Sequence, residues 1–441
     1  MERYLLLIIM KVAEHQSLTR EQKEAVGLLS IGTFLEYFDL MLYVHMAVLL
    51  NELFFPKTDP FTASLLAAFA FCSTYFLRPF AALVFGYIGD HIGRKATVVI
   101  TTGIMSISCL VMANLPTYAQ IGIGASWAIT ICRIIQGMSS MGEMIGAELY
   151  ISELVPLPMR YSTVSIIAVC SSLGMSAALA IANLVNTNGF NWRTAFYCGA
   201  VIALIGFFAR TKLRETQDFI NAKKRLSIVS DGKVPAFLEK VNKKTAIAYF
   251  LIECSWPVWF YLAYVHCSSI LKEKFGYSAE LIIKHNLGLS LFDLVNAAVL
   301  AYLVSKVHPL IILRIKSYIF FVFILLTPVL FNNISTPEHL FYIQLCVLLL
   351  GPTGYPAVAV FFMHFPIFKR FTYASFTYAL SRALMYFISS FGIVVLVKYY
   401  SHNGLLVVMI PTIIGYIWGI KHFILLEKAT GNYHPLLKSR T

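Results

Sequence analysis

Charge is scarce in this sequence. Only 13% of its 441 residues are Asp, Glu, Lys or Arg, about half the share usual in a soluble globular chain. A chain so poor in charge cannot dress a large water-facing surface. The eight cysteines include no C-x-x-C pair and all fall within apolar runs. That argues against a disulfide framework or a zinc site and for plain buried thiols. There is no H-E-x-x-H, no G-x-S-x-G and no phosphate-cradling P-loop. His45, His266, His285 and His364 also lack ligand spacing. An enzyme, a resident metal or cofactor, and a nucleotide-driven pump are therefore not expected. The N-terminal run LLLIIM is too short to span a membrane, and with no cleavage site after it it does not read as a signal peptide.

What fills the chain instead is apolar: 58% of the residues are hydrophobic and the mean hydropathy is +0.73. Twelve apolar segments have about the 20 residues needed to cross a bilayer. They run 25–50, 61–88, 95–113, 120–150, 160–187, 191–210, 244–270, 283–305, 309–331, 338–363, 371–397 and 404–426. The fold class is all-α, a polytopic membrane protein. The net charge of +13 does not imply a nucleic-acid partner, because the basic residues sit in short connections between spans. With the N-terminus inside, about 26 of the 35 basic residues lie on the inner side and about 6 on the outer; this count assigns Arg314 and Lys316 to the inner side. Only Arg78, Arg133 and Arg382 are left within spans. That bias places both termini in the cytoplasm. The longest connection, 211–243, carries Lys223, Lys224, Arg225, Lys240 and Lys243. It divides the chain into six-span halves, 1–210 and 244–441, joined by a cytoplasmic linker.

The connection GYIGDHIGRKA, Gly86 to Ala96, is the most distinctive short stretch. Gly89 and Gly93 suit a tight turn and close backbone approach. Asp90 ends one helix, and Arg94 and Lys95 begin the next. An internal repeat supports the division into halves. Pro156-x-x-x-Arg160-Tyr161-Ser162 follows span 4, and Pro366-x-x-x-Arg370-Phe371-Thr372 follows span 10. In each, Pro ends a helix and Ser or Thr is available to cap the next. Two matches six spans apart fit a plan of two related, parallel halves. The repeat fails elsewhere: YLVSKVHPLIILRIK, 302–316, keeps none of the Gly, Asp or Gly-Arg elements of Gly86–Ala96.

Many motifs in one order carry a resemblance. They are IGTFLEYFDL (31–40), FFP (54–56), RPF (78–80), FGYIGDHIGRK (85–95), RIIQG (133–137), GE (142–143), SELVP (152–156), NWR (191–193), LRET (213–216) and FPIFKRFTYASFTYALS (365–381). The chain resembles the metabolite:proton symporters of the major facilitator superfamily, in particular the bacterial proline/glycine-betaine transporters. The likeness is weak across 244–350. Met141 stands where the family has Gly before Gly142-Glu143. The chain stops soon after span 12, without the long coiled-coil tail of some members. The resemblance implies twelve transmembrane helices in two six-helix halves. It implies a secondary active transporter in the bacterial inner membrane, carrying a small polar solute, a proline- or betaine-like zwitterion or an organic acid, by proton-coupled symport with alternating access. The alternative is a non-transporting sensor on a transporter fold, encouraged by the degenerate second half.

Ionisable groups inside spans mark the functional candidates, since each is costly in a bilayer. Glu36 and Asp39 share a face of span 1. Arg133, Gln136, Ser140 and Glu143 form a stripe on span 4. Arg133 suits a carboxylate, and Glu143, buried and matched to the family's Gly-Glu element, ranks first as proton carrier. Glu148 lies on another face. Span 7 offers Glu253 beside Trp256, Trp259, Tyr261 and Tyr264. An aromatic wall can hold a quaternary ammonium, but an interfacial aromatic belt is the simpler reading. Asp293 with Asn296 on span 8, and Arg382 on span 11, complete the coupling candidates. Gly351–Pro356 should break span 10, as helices at transport sites often are. A conformational latch is expected from Gly89, Asp90, Gly93, Arg94, Glu153 and Arg160, with Glu153 and Arg160 paired to each other or to Asp90.

Overall fold

A backbone in hydrocarbon must satisfy its own N–H and C=O groups, and a long continuous helix does so. The computed structural model describes residues 18–46, 50, 53–56, 74–188, 191–229 and 240–434, and among these the chain is helical throughout with no β-strand. The first half contains α1 (Arg20–His45), α2 (Arg78–His91), α3 (Arg94–Asn114), α4 (Ile123–Leu154), α5 (Met159–Asn188) and α6 (Trp192–Arg210), followed by α7 (Gln217–Val229). Then come α8 (Lys243–Phe275), α9 (Ala279–Leu303), α10 (Pro309–Asn332), α11 (Pro337–Leu350) and α12 (Val358–Met363). α13 (Arg370–Phe387) runs through a π-helical turn into α14 (Val394–Tyr400), and α15 (Leu405–Ala429) ends the bundle. Each expected segment falls on a helix. Residues 5–10 of the N-terminal run, 47–49 of the first segment, 61–73 of the second and 230–239 of the linker lie outside the described residues.

Seven stretches among the described residues are long and apolar enough to cross a membrane, and the last, Arg370–Ala429, has 60 residues, enough for two crossings. α4, 32 residues long, is not among the seven. It is the more polar helix, and its Arg133, Gln136, Glu143 and Glu148 all face inward. The bundle exterior is apolar: Leu291, Phe292, Val295, Ile319 and Val322 are exposed on α9 and α10. Local signals set the helix starts. Thr19 and Gln22 form a reciprocal capping box at α1, and Pro309 and Pro337 begin α10 and α11 where a missing N–H costs nothing. As expected, Gly351–Pro356 breaks the tenth span, between α11 and α12.

α1 packs along α5, and α3 packs on α4 and α6; α15 packs on α8 and α10. The most extensive contacts between the halves are α5 against α9 and α2 against α13, and α12 and α13 also touch α4. The α2–α13 crossing depends on glycine. A Cβ on Gly86 would lie 2.6 Å from the Thr372 Cα, and one on Gly89 would lie 2.4 Å from the Phe371 ring.

Candidate functional site

At one end of the bundle the two halves are tied by charge. The Asp90 carboxylate accepts the backbone N–H groups of Phe371 (3.0 Å) and Thr372 (2.9 Å). It thereby caps α13 from the other half, the placement that an anion favours at a helix N-terminus. Arg94, wholly buried, holds Glu153 at 3.0 Å and Asp90 at 3.4 Å. It also donates to the Ile367 carbonyl at 2.7 Å, across the halves. Arg370 completes the closure with 3.0 Å to Glu153. Gly93 leads into α3 with φ 150°, and a Cβ there would strike the Glu215 carboxylate at 2.0 Å. That carboxylate accepts the N–H groups of Arg94 and Lys95. Burial pushes its carboxyl above the ordinary range, although the N–H groups of Thr216, Lys95 and Arg94 pull it back.

The expected latch residues Gly89, Asp90, Gly93, Arg94 and Glu153 are thus gathered. Arg160 is a correction. It pairs with neither Glu153 nor Asp90, and its Nε donates to the Val155 carbonyl at 2.8 Å. Its repeat mate Arg370 makes the same local bond, to Phe365 O at 3.1 Å, and only Arg370 also reaches Glu153. The internal repeat therefore has a matching geometry in both halves. Its position across the interface decides which arginine takes part.

Deeper in the first half, charged residues form closed pairs. Arg133 lies 3.5 Å from Asp39, donates to Gln136 at 3.0 Å and covers the Tyr43 ring. Arg210 lies 2.9 Å from Glu143. It also donates to Thr102 and to the carbonyls of Leu28 and Leu29, binding α6 to α1, α3 and α4. The guanidinium occupies the space that a Cβ on Gly32 would need. Glu36 is buried with its Oε2 unbonded among the described residues. Glu36, Asp39 and Glu143, expected to face the gap between the halves, do not line its cavity, and neither do Arg133 and Gln136. Asp39, Arg133, Gln136 and Glu143 take their partners from within the first half, on α1, α3, α4 and α6.

The gap itself holds a cavity of about 90 Å³. From the first half, Tyr37, Met144, Glu148 and Ser172 line it; from the second, Glu253, Trp256, Asp293, Asn296, Lys316, Tyr355, Tyr378 and Arg382. Arg382 lies 3.0 Å from Glu253, donates to the Glu253 carbonyl and covers Tyr378. The broken tenth span forms part of the wall through Thr353 to Pro356. Of the span 7 aromatics, Trp256 reaches the cavity, while Trp259, Tyr261 and Tyr264 are buried inside the bundle. They are not a surface belt: the Trp259 ring packs on Phe320 of α10, the Tyr261 hydroxyl donates to Ser390 O in the π-helical turn after α13, and Tyr264 packs on Phe260.

The sequence profile of the Major Facilitator Superfamily matches residues 29–393. The chain belongs to the Major Facilitator Superfamily. The proline/betaine transporter of Salmonella typhimurium is 29% identical over 272 residues, covering 58% of this chain and 54% of the relative. The inner membrane metabolite transport protein YhjE of Escherichia coli is 33% identical over 247 residues, covering 54% and 55%. The chain thus spans about half the length of these curated relatives. Among solved structures, the proton:xylose symporter XylE, bound to 6-bromo-6-deoxy-D-glucose, superposes with a TM-score of 0.71. It is 16% identical and covers 95% of this chain and 97% of that one. The fold is that of the superfamily, twelve helices in two six-helix halves.

Against that fold, three features escaped sequence reasoning. Glu148 lies on the cavity face of α4 and accepts the Tyr355 hydroxyl from the other half. Lys316, counted among the inner-side bases, lines the cavity. The end of the second half, which lost the glycine-acid-arginine motif, has a histidine cluster instead: His364 lies 2.7 Å and His308 3.7 Å from Glu427. Helical spacing could have placed Glu148 on a face, but only the packing tells which face meets the second half.

Proposed function

We propose that this chain is a secondary active transporter that carries a small polar solute together with a proton. The solute site is the central cavity, exposed alternately to either face as two halves, 1–210 and 244–441, rock about it, with 211–243 as the linker. One observation carries the reading: a cavity lined by charges of both signs, Glu148 from the first half and Glu253, Asp293, Lys316 and Arg382 from the second, lies beyond an ionic closure that joins those halves at one end only among the described residues. A bistable closure over a buried site is what alternating access requires. Acids and bases together suit a zwitterion or an organic acid, in keeping with the proline/betaine and metabolite transport names of the relatives. The membrane is the bacterial inner membrane. The bias of Lys and Arg puts both termini and the closure in the cytoplasm.

The test is uptake by the full chain in proteoliposomes, using labelled zwitterions and organic anions with and without an imposed pH gradient. Accumulation that follows the gradient, with counterflow of preloaded solute, is expected for at least one of them. Binding without exchange would make the chain a sensor, and uptake indifferent to the gradient would remove the proton from the scheme. Reporter fusions at Asp231 and Thr441 should both read inside, and an outside signal at either would overturn the orientation.

A further inference from the structure

The charges that line the cavity are not equally engaged. Arg382 is committed to Glu253 at 3.0 Å. Glu148 is held by Tyr355. Asp293, on α9, accepts from the Ser172 hydroxyl of α5 at 3.3 Å, across the halves. Lys316, on α10, lines the same cavity and makes no hydrogen bond and no ion pair within 4.0 Å among the described residues. Lys316 is half-buried, and its ammonium has three donors left for cavity water or a solute. An anion entering this cavity therefore finds one uncommitted cation.

Asp293 is buried at 8% exposure, and Lys316 is the cation that acts on it. The other groups bearing on it are Ser172 from α5 and Tyr264 from α8; neither brings positive charge. The aspartate and the lysine thus balance at a distance without closing into a pair. When an incoming carboxylate takes Lys316, Asp293 is left as a buried anion without a counter-charge. Such a group is relieved by taking a proton.

Building on the transporter reading, we infer that Lys316 is the residue that binds the anionic group of the solute, and that Asp293 is the carboxylate protonated when the solute arrives. For a monocarboxylate solute, whose single charge is one carboxylate, the charge balances; a zwitterion would bring its own ammonium to Asp293 and need no proton. The empty site holds one carboxylate and one ammonium, and the loaded site adds one solute carboxylate and one proton from the open face. The proton becomes the O–H of the Asp293 carboxyl and is released as the solute leaves on the other side. Loading either alone strands a charge in the cavity, which is how a symporter avoids slippage.

The experiment uses proteoliposomes of the full chain with labelled L-lactate, a monocarboxylate, and the zwitterions L-proline and glycine betaine as probes; the variants are read with L-lactate, and a wild-type protein that moves only the zwitterions overturns the inference. Asp293→Asn should lose accumulation driven by a pH gradient and keep counterflow. Its apparent affinity should no longer vary with pH, whereas that of the wild type should tighten as pH falls. Lys316→Gln should weaken apparent affinity about tenfold or more, the scale of a hydrogen bond to a charged group, and Lys316→Arg should recover much of it. Melting curves accompany each variant. Should Lys316→Gln fold poorly, Lys316→Arg and the pH profile of Asp293→Asn still decide. Gradient-driven accumulation by Asp293→Asn, a wild-type pH profile in that variant, or wild-type affinity in Lys316→Gln would each overturn the inference while leaving transport intact. A wild-type protein that moves none of the three probes would remove both readings together.

Discussion

The two ion pairs sealed inside the first half and the charges around the cavity obey different rules. In the first half, Arg133 has Asp39 and Arg210 has Glu143, and the arginines add backbone carbonyls or amide partners. Around the cavity, Glu148 has a tyrosine but no cation within salt-bridge distance, and Asp293 and Lys316 do not close on each other. Both sets lie in spans, where an ionisable group is costly. A closed pair offsets part of that cost without a ligand, and removing one member leaves the other stranded. An open charge on a cavity stays tolerable only through water or a solute. The contrast separates residues that hold a half together from residues free to change partner, a separation that residue type alone does not make. Arg382 with Glu253 is the informative intermediate: closed, like the first set, but facing the cavity, like the second.

The contrast is most exposed at Arg210. Arg210→Met leaves Glu143 buried beside no cation and should cost about 3–5 kcal/mol of stability, read by denaturation in detergent, with the Arg210→Met/Glu143→Met double variant recovering most of it. If Arg210→Met melts like wild type, or if Glu143→Gln folds normally yet loses gradient-driven accumulation, Glu143 is not a structural tie and becomes the proton carrier again.

A smaller effect is expected at the closure. Asp90→Asn keeps the shape but loses the charge that receives Phe371 N–H, Thr372 N–H and Arg94. It should weaken the closed state by about 1–3 kcal/mol and slow transport, with expression and folding retained. Transport at the wild-type rate in every gradient would detach the closure from the cycle.

The least disruption to the fold is expected in the cavity. Glu148→Gln can still accept the Tyr355 hydroxyl, so its melting should shift by less than about 1 kcal/mol while solute uptake falls. A Glu148→Gln protein that transports normally but unfolds readily would place Glu148 with the first-half pairs and erase the distinction.

Much was legible beforehand because its causes are local. Apolar length fixes where helices run, since a backbone in hydrocarbon has few other choices. Proline and glycine mark the break at Gly351–Pro356, and the order of motifs carries the family. Gly86, Gly89, Asp90 and Arg94 were recognisable because a close crossing of helices requires small residues and specific charges at fixed spacing. Partnership was not legible. Arg160 and Arg370 occupy matching places in a repeat and make the same bond to a carbonyl five residues back, yet only Arg370 meets Glu153. Glu143 and Glu148 are five residues apart on one helix, yet one is sealed by Arg210 and the other opens on the cavity. The twelve segments, the one-sided excess of basic charge in their connections and the closure motif were readable along the chain, because each depends on hydrophobic length, charge count or spacing. Only the tertiary structure decided which buried charges are spent on each other and which, like Lys316 and Asp293, are left facing a shared space. Electrostatic pairing depends on distances between helices far apart in sequence, and no periodicity along any one of them encodes those distances.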